Sequence, residues 1–399
     1  MKKLIYSLRA ALIALMFLAT FLASAHSFEV DGIYYNKTSD TDVTVTYRGN
    51  SYSSYSDEYT GDVVIPSTVS YNSVEYLVTS IGYDAFNGCR ELNSVIIPNS
   101  VTTIGSSAFS NCSGLTSISI GNSVNTIQSK AFENCERLTS IVIPNSVTAI
   151  WDEAFLDCSA LKEITFNDGN QTLLLYTDDS YSANYPFSGC HIEKIYLGRN
   201  IDEMGSGLRY GFWGRQLKEV TIAGSVTYIR SDLFNKCEKL TSVTIPNSVK
   251  SIGRGAFRDC RGLTSIYIGN TVETIDFQAF YNCNSLTSVT CLATTPPNIY
   301  AETFGTKTTR NAILYVPSDV VNEYKNANLW KDFYNIQAIT NGIDEIIIDM
   351  DKNMSSVVDV DIYTLNGTHV YNGPRSEARL AKGFYLVRQG EAVAKVYVE

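Results

Sequence analysis

Apolar residues recur with a fixed period along most of the chain. The stretch "AFENCERLTSIVIPNSVTAI" at 131–150 closely matches "AFSNCSGLTSISIGNSVNTI", which starts 23 residues earlier at Ala108. Related stretches start at Ala85, Ala154, Leu233, Ala256 and Ala279. Aligned on this period, the repeat reads A-F-x-x-C-x-x-L-x-x-I-x-I-P/G-N-S/T-V-x-x-I-x-x-x.

Each repeat combines two hydrophobic periods. Its Ala, Phe, Cys and Leu stand at i, i+1, i+4 and i+7, which is the spacing of one face of a short helical turn. The I-x-I segment that follows, such as Ile141 and Ile143, alternates with the period of a strand and ends at Pro or Gly before Asn. One repeat cannot bury its apolar side alone, so neighbouring repeats are predicted to stack into a solenoid with a continuous core.

The repeats predict a solenoid over residues 61–317 with one long insertion. Between Ala154 and Leu233 the spacing exceeds three periods, and two degenerate starts, Pro186–Cys190 and Gly211–Trp213, keep the solenoid continuous. The excess falls at residues 167–185, which we interpret as an insertion in one coil.

The predicted ends of the solenoid are capped, because a bare end would expose the core. Residues 26–60, which contain the alternating "VTVTY", predict an N-terminal β-hairpin cap. Residues 318–340 predict a C-terminal cap with a helix from Ser318 to Tyr334. The repeats stop there, and the short strand-like runs of 341–399 predict a small β-domain of the sandwich type.

Residues 1–25 have the pattern of a secretory signal peptide. Basic Lys2 and Lys3 precede a short apolar run, and the segment closes with the small residues Ala23-Ser24-Ala25. We therefore expect a secreted or outer-surface protein with no transmembrane span after cleavage. Removing Lys2, Lys3 and Arg9 changes the net charge from −10 to −13, which disfavours nucleic acid and anionic membranes as partners.

Cysteine fills one slot of the repeat, and we predict that these thiols are small core residues rather than ligands or nucleophiles. One cysteine per repeat forms a row, whereas zinc requires four ligands around a point. Disulfides are compatible with export, but stacked coils would hold Cβ atoms about 4.8 Å apart, farther than a disulfide prefers. The predicted core cysteines are Cys89, Cys112, Cys135, Cys158, Cys190, Cys237, Cys260 and Cys283.

Between the inward residues of each strand lie outward positions that are mostly Ser and Thr. Such a strip is either a solvated sheet face or a binding surface. Insertions in repeat proteins often mark the binding face, and Tyr and Trp are frequent anchors for ligands, although these aromatics could equally pack the insertion onto the solenoid. The candidate ligand-binding residues are Tyr176, Tyr181, Tyr185, Tyr196, Tyr210, Trp213 and Tyr267.

Motifs of known catalytic chemistry are missing from the sequence, so we expect a non-catalytic protein without a cofactor or metal. Nothing matches a nucleophile elbow, a zinc-protease motif or a phosphate loop. Asp178 and Asp179 are adjacent on the insertion, which leaves a hydrolase as an alternative. The run "DMDKN" at 349–353 begins like a calcium loop, but Met354 replaces its essential glycine.

The repeat resembles the leucine-rich repeats of BspA-like bacterial surface proteins over residues 61–317. This resemblance implies a curved solenoid with a parallel β-sheet, and surface adhesion or recognition rather than catalysis. The segment 341–399, with "LNG" and "KGFY", resembles the C-terminal sorting domains of type IX secretion, although the acidic end at Glu399 departs from that pattern.

We therefore predict an exported recognition or adhesion protein that binds an extracellular protein or another host or matrix ligand through its solenoid. A glycan-binding accessory protein is an alternative, since Tyr and Trp also stack on sugar rings. A surface spacer without a specific ligand is a further alternative.

Overall fold

The computed structural model describes residues 26–49, 51–54, 57–176, 185–204 and 216–339, together with four strands between 359 and 398. The predicted signal peptide lies outside the described residues. The chain forms two compact units. The first comprises Met1–Thr139, Ala149–Ala160 and Asn184–Gly189, and the second comprises Ser140–Thr148, Leu161–Ala183 and Cys190–Glu399.

Short strands dominate the described residues. Through residue 150 they are β1 (Phe28–Val30), β2 (Ile33–Lys37), β3 (Asp42–Thr46), β4 (Gly61–Val64), β5 (Thr68–Tyr71), β6 (Val74–Ile81), β7 (Leu92–Ile96), β8 (Thr103–Ile104), β9 (Ser117–Ser119), β10 (Thr126–Ile127), β11 (Ser140–Ile143) and β12 (Ala149–Ile150). A 3-10 helix, Tyr52–Ser54, lies between β3 and β4.

The remaining repeats continue this pattern. Their strands are β13 (Glu163–Phe166), β14 (Leu173–Tyr176), β15 (Lys194–Leu197), β16 (Ile201–Met204), β17 (Glu219–Ile222), β18 (Tyr228–Ile229), β19 (Ser242–Ile245), β20 (Ser251–Ile252), β21 (Ser265–Ile268), β22 (Thr274–Ile275), β23 (Ser288–Cys291), β24 (Asn298–Ile299), β25 (Ile313–Val316) and β26 (Asn335–Ala338). The helices are α1 (Thr306–Asn311) and α2 (Val321–Asn326), with 3-10 turns at Ser318–Val320 and Trp330–Asp332.

In the first unit, β1, β2 and β3 pair antiparallel, and this hairpin forms the N-terminal cap. Strand β3 then pairs parallel with β6, to which β8, β10 and β12 add in parallel, while β5 pairs antiparallel with β6. A separate parallel sheet contains β4, β7 and β9. Every coil therefore contributes one strand to each of two parallel ladders, as a stacked solenoid requires.

The second unit repeats this arrangement. One parallel sheet has the order β11-β13-β15-β17 and another has the order β19-β21-β23-β25-β26. The other parallel pairings of this unit join β14 with β16 and give the order β18-β20-β22-β24. The segment 318–340, predicted as a helical cap, is broken into short helical pieces, and its last residues form β26, which continues the parallel sheet.

The described strands of the C-terminal segment form one four-stranded antiparallel sheet. They are β27 (Asp359–Thr364), β28 (His369–Pro374), β29 (Gly383–Gln389) and β30 (Ala392–Val398), in the order β28-β27-β29-β30. The prediction of a β-rich C-terminal segment agrees with this sheet. The second layer that a sandwich requires is not among the described strands.

The A-F-x-x-C segments are successive hydrogen-bonded turns rather than helices. Ser107 and Asn111 have positive φ values of 53° and 61°, and such left-handed residues interrupt a right-handed helix. The N–H groups of Ser107, Phe109 and Asn111 instead bond to carbonyls of the next coil, and that of Phe109 reaches the carbonyl of Ala131 at 2.7 Å. The alternate N–H groups of Ala108, Ser110 and Cys112 bond within the turns. The predicted helical spacing therefore describes the buried face correctly, but half of the backbone bonds run between coils.

Stacked phenylalanines form the centre of each unit. In the first unit Phe86, Phe109, Phe132, Phe155 and Phe187 follow one another with ring centroids 4.8–5.2 Å apart. In the second unit Phe234, Phe257, Phe280 and Phe304 stack at 5.1–5.3 Å. This distance is close to the spacing of hydrogen-bonded strands, so the ladder that joins the coils also sets the aromatic stacking.

The cysteine slot lies beside these rings, and all nine cysteines are free thiols. The Cys112 thiol donates to the carbonyl of Phe86, and Cys135 does the same to Phe109 at 3.2 Å. The seven regular positions and Cys291 are buried, whereas Cys190 is half-buried. Its coil is one residue shorter, because Ile192 stands two residues after the cysteine where Leu stands three after it elsewhere. The shift moves Cys190 out of the core row.

The stacked rings predict a large difference between inward and outward apolar residues. Phe132→Ala should lower the free energy of unfolding by about 3–5 kcal/mol, because it leaves a cavity between two rings. Ile96→Ala is the matched control, since Ile96 points outward and is 49% exposed; its effect should stay within about 0.5 kcal/mol. Urea unfolding followed by circular dichroism measures both, and equal losses would contradict the stacked core.

Burial also predicts the reactivity of the thiols. It raises the pKa of Cys89 to about 12 and raises those of Cys112 and Cys135, which removes the reactive thiolate. We expect a disulfide reagent such as DTNB to label half-buried Cys190 in the native protein and the other eight cysteines only in guanidinium. Rapid labelling of several native thiols would show that the row is accessible.

Candidate functional site

The longer strands of the second unit display a continuous outward face. Along β19, Val243 and Ile245 are buried while Ser242 and Thr244 are exposed, as strand alternation dictates. Strands β21 and β23 repeat the same alternation with more shielded outward residues. The outward side chains of successive coils therefore line up in rows that run across the strands.

Strand register defines two of these rows. The first places Thr244, Tyr267, Thr290, Tyr315 and Gln337 side by side. The second consists of Ser242, Ser265, Ser288, Ile313 and Asn335. Two tyrosines thus stand on alternate strands, and a threonine lies between them.

A shallow groove of about 350 Å³ follows these rows. Its described lining residues are Ser242, Val243, Thr244, Ser265, Ile266, Tyr267, Ser288, Thr290, Tyr315 and Ile339. No charged side chain is among them. Burial raises the pKa of Tyr267 to about 12, so its phenol is neutral throughout the physiological range. The groove offers hydroxyl groups and two aromatic rings to a ligand.

The four-stranded sheet β11-β13-β15-β17 has a different outward face. Its rows place Glu163, Lys194 and Glu219 side by side, and the Lys194 ammonium lies 3.2 Å from the Glu219 carboxylate. Glu193 pairs with Lys218 at 2.6 Å and with Lys162 at 3.8 Å. These exposed pairs contribute little stability individually, but they divide the strand faces into a charged part and a neutral part.

Tyr196, one of the candidate residues, forms a hydrogen bond with the first residues of the insertion. Its hydroxyl donates to the Asp168 carboxylate at 2.9 Å, and Asp168 also accepts a longer hydrogen bond from Ser225. Burial, followed by the contact with Asp168, raises the pKa of Tyr196 to about 12. These contacts favour the interpretation that this tyrosine packs the insertion against the strand face.

A buried arginine lies next to the insertion, and the sequence analysis did not identify it. Arg199 is fully buried, and its guanidinium donates to the carbonyls of Asn145, Val147 and Pro144 at 2.7–2.9 Å. Burial lowers its pKa to about 10. In a regular coil the Thr271 hydroxyl donates to the corresponding turn carbonyls of Asn247 and Val249, so the arginine takes the place of such a side-chain donor. The sequence does mark this position, because Gly198-Arg199-Asn200 stands where other repeats have Pro-Asn-Ser.

Two further candidates that the structure describes, Tyr176 and Tyr185, do not line the groove. Tyr176 is the last residue of β14, is paired in register with position 204 of β16, and is half-buried. Tyr185 is also half-buried, and its N–H donates to the Ser188 hydroxyl at 2.7 Å. Of the four candidates that the structure describes, only Tyr267 lines the groove. The candidates outside the described residues are Tyr181, Tyr210 and Trp213.

Tyr315 and Ile339 complete the groove, although neither was predicted as a site residue. Tyr315 stands between the inward residues Leu314 and Val316, so alternation indicates its outward position. Tyr315 reaches the groove because β25 pairs with β23. The sequence of this last coil departs so far from the repeat consensus that it does not predict this pairing.

The described part of the chain contains neither a metal-binding cluster nor a membrane-spanning helix. It contains no group of three or more His, Cys, Asp or Glu side chains arranged to hold a metal ion. Its helices are all too short or too polar to cross a membrane. Asp178 and Asp179, and the calcium-like run at 349–353, lie outside the described residues.

Comparison with known proteins places this geometry in a family. The profile of the BspA type leucine rich repeat region matches residues 79–208 and 208–327 in six copies. No curated protein sequence matches the chain significantly.

Solved bacterial structures with similar chains include three leucine-rich repeat proteins. A leucine-rich repeat protein from T. pallidum is 23% identical, with coverage of 65% of this chain and 90% of that one and a TM-score of 0.34. A leucine rich cell surface protein from Faecalibacterium prausnitzii is 21% identical, with coverage of 78% and 94% and a TM-score of 0.35. A protein from Bacteroides ovatus is 24% identical, with coverage of 79% and 100% and a TM-score of 0.30.

The repeat profile covers more than half of the sequence, and the parallel solenoid has the architecture that such repeats require. The chain belongs to the BspA-type leucine-rich repeat family.

Proposed function

We propose that this protein is an exported surface-recognition or adhesion protein that binds an extracellular ligand through its solenoid without catalysis. The observation that carries the proposal is the neutral groove on β19, β21, β23 and β25, where two tyrosines stand among hydroxyl groups. Ligand pockets combine apolar or aromatic surface with a few polar groups, and this groove has both.

Location outside the cytoplasm is part of the same proposal. The basic and apolar pattern of residues 1–25 favours export. The C-terminal segment 341–399 resembles type IX sorting domains, which fits transport to the outer surface. A leucine-rich protein similar to this chain carries the description of a cell surface protein.

Thr290 offers a direct test, because its outward side chain lies in the middle of the groove. Thr290→Lys should block the groove with a long charged side chain and leave the buried residues of β23 in place. Thr221→Lys is the matched control, since Thr221 holds the equivalent position on β17 and does not line the groove.

The measurement is binding of the labelled full-length processed protein to arrays of extracellular matrix proteins and glycans. We expect saturable binding that Thr290→Lys weakens by about tenfold or more and Thr221→Lys leaves unchanged. Equal binding by both variants would move the site away from the groove.

A third variant tests whether the ligand binds at the insertion or in the groove. Selective loss of binding in Tyr181→Ala/Trp213→Ala would place recognition on the insertion. Absence of any binding in the arrays would favour a surface spacer over a recognition protein.

A further inference from the structure

The two tyrosines of the groove have a defined separation. Tyr267 on β21 and Tyr315 on β25 occupy the same outward row, with Thr290 on β23 between them. Two strand spacings separate the two positions, which corresponds to about 9.6 Å. A ligand that uses both rings must therefore run across the strands and present equivalent surfaces at that interval.

Peptide backbone is a poor match for this groove. An extended peptide commonly binds by pairing with a free strand edge. Strands β21, β23 and β25 are each paired on both sides, and β26 covers the outer side of β25. The main-chain groups of these strands are therefore taken up by neighbouring strands and cannot pair with a ligand as a free edge would.

The lining side chains suit a neutral polyhydroxylated ligand. Tyrosine rings provide flat apolar faces, and the hydroxyls of Thr290, Ser265 and Ser288 can each donate and accept hydrogen bonds. The described lining carries no charge, and the whole chain has a net charge of −10, which disfavours acidic ligands such as sulfated glycans.

We propose that the groove binds a linear, neutral, β-1,4-linked glycan laid across the strands, with alternate sugar rings stacked on Tyr267 and Tyr315. In such a chain successive sugars are turned over, so the same face returns every second sugar. This two-sugar repeat matches the separation of the tyrosines, while the sugar between them lies over Thr290. The inference rests on the proposed recognition function and names the class of its ligand.

Calorimetric titration of the full-length processed protein tests the proposal, with cellotetraose, chitotetraose, maltotetraose, cellobiose and chitobiose as ligands. At least one β-1,4-linked tetrasaccharide should bind, and α-linked maltotetraose should bind more weakly because its chain curves. The disaccharide of the same sugar, cellobiose for cellotetraose or chitobiose for chitotetraose, should bind about tenfold more weakly, since it reaches only one tyrosine.

Variants at the two rings provide the residue-level readout. Tyr267→Ala and Tyr315→Ala should each weaken tetrasaccharide binding by about tenfold, whereas the corresponding Phe variants keep the ring and most of the affinity. Tyr300→Ala is the matched control, because Tyr300 is 51% exposed and does not line the groove. Circular dichroism verifies that each variant is folded.

The outcomes separate this inference from the proposed function. In one outcome no neutral tetrasaccharide binds, but the arrays show binding to a protein, and Thr290→Lys abolishes that binding. This outcome would overturn the glycan assignment and leave the recognition function standing. Tetrasaccharide binding that persists unchanged in both Tyr→Ala variants would also overturn it. If no ligand binds in either the titrations or the arrays, both proposals are refuted.

Discussion

The in-register parallel ladder between coils is the constraint on which the rest of the structure depends. Because hydrogen-bonded strands lie about 4.8 Å apart, every residue of a coil sits directly on its counterpart in the next. A core slot must therefore hold a side chain that packs well against copies of itself. Phenylalanine rings stacked at about 5 Å meet this requirement, as does cysteine, whose thiol donates to a carbonyl of the preceding coil.

The same constraint organises the surface. Outward residues also form rows at the strand spacing, but solvent does not restrict their identity as the core does. One sheet uses this freedom for alternating charges at Glu163, Lys194 and Glu219, while another combines threonine with tyrosine. The outward surface can thus change from coil to coil without cost to the core.

Departures from the repeat are compensated locally. Where the insertion displaces the usual turn, Arg199 extends inward and donates to three carbonyls of the coil at 144–147. Burial of a guanidinium is expensive, and its hydrogen bonds to the three turn carbonyls offset part of this expense. The shortened coil after Cys190 is a second departure, and there the cysteine leaves the core row.

Repeat period and strand alternation determined much of this protein from sequence alone: the solenoid, its buried rows, the outward positions, the family and Tyr267 as a candidate. These are local patterns, so they can be read residue by residue. Only the tertiary structure decided that the A-F-x-x-C segments are turns, that Tyr315 shares a groove with Tyr267, and that Arg199 points inward. Each of these depends on which backbone groups pair between coils, and that pairing joins residues more than twenty positions apart, beyond the reach of any local pattern.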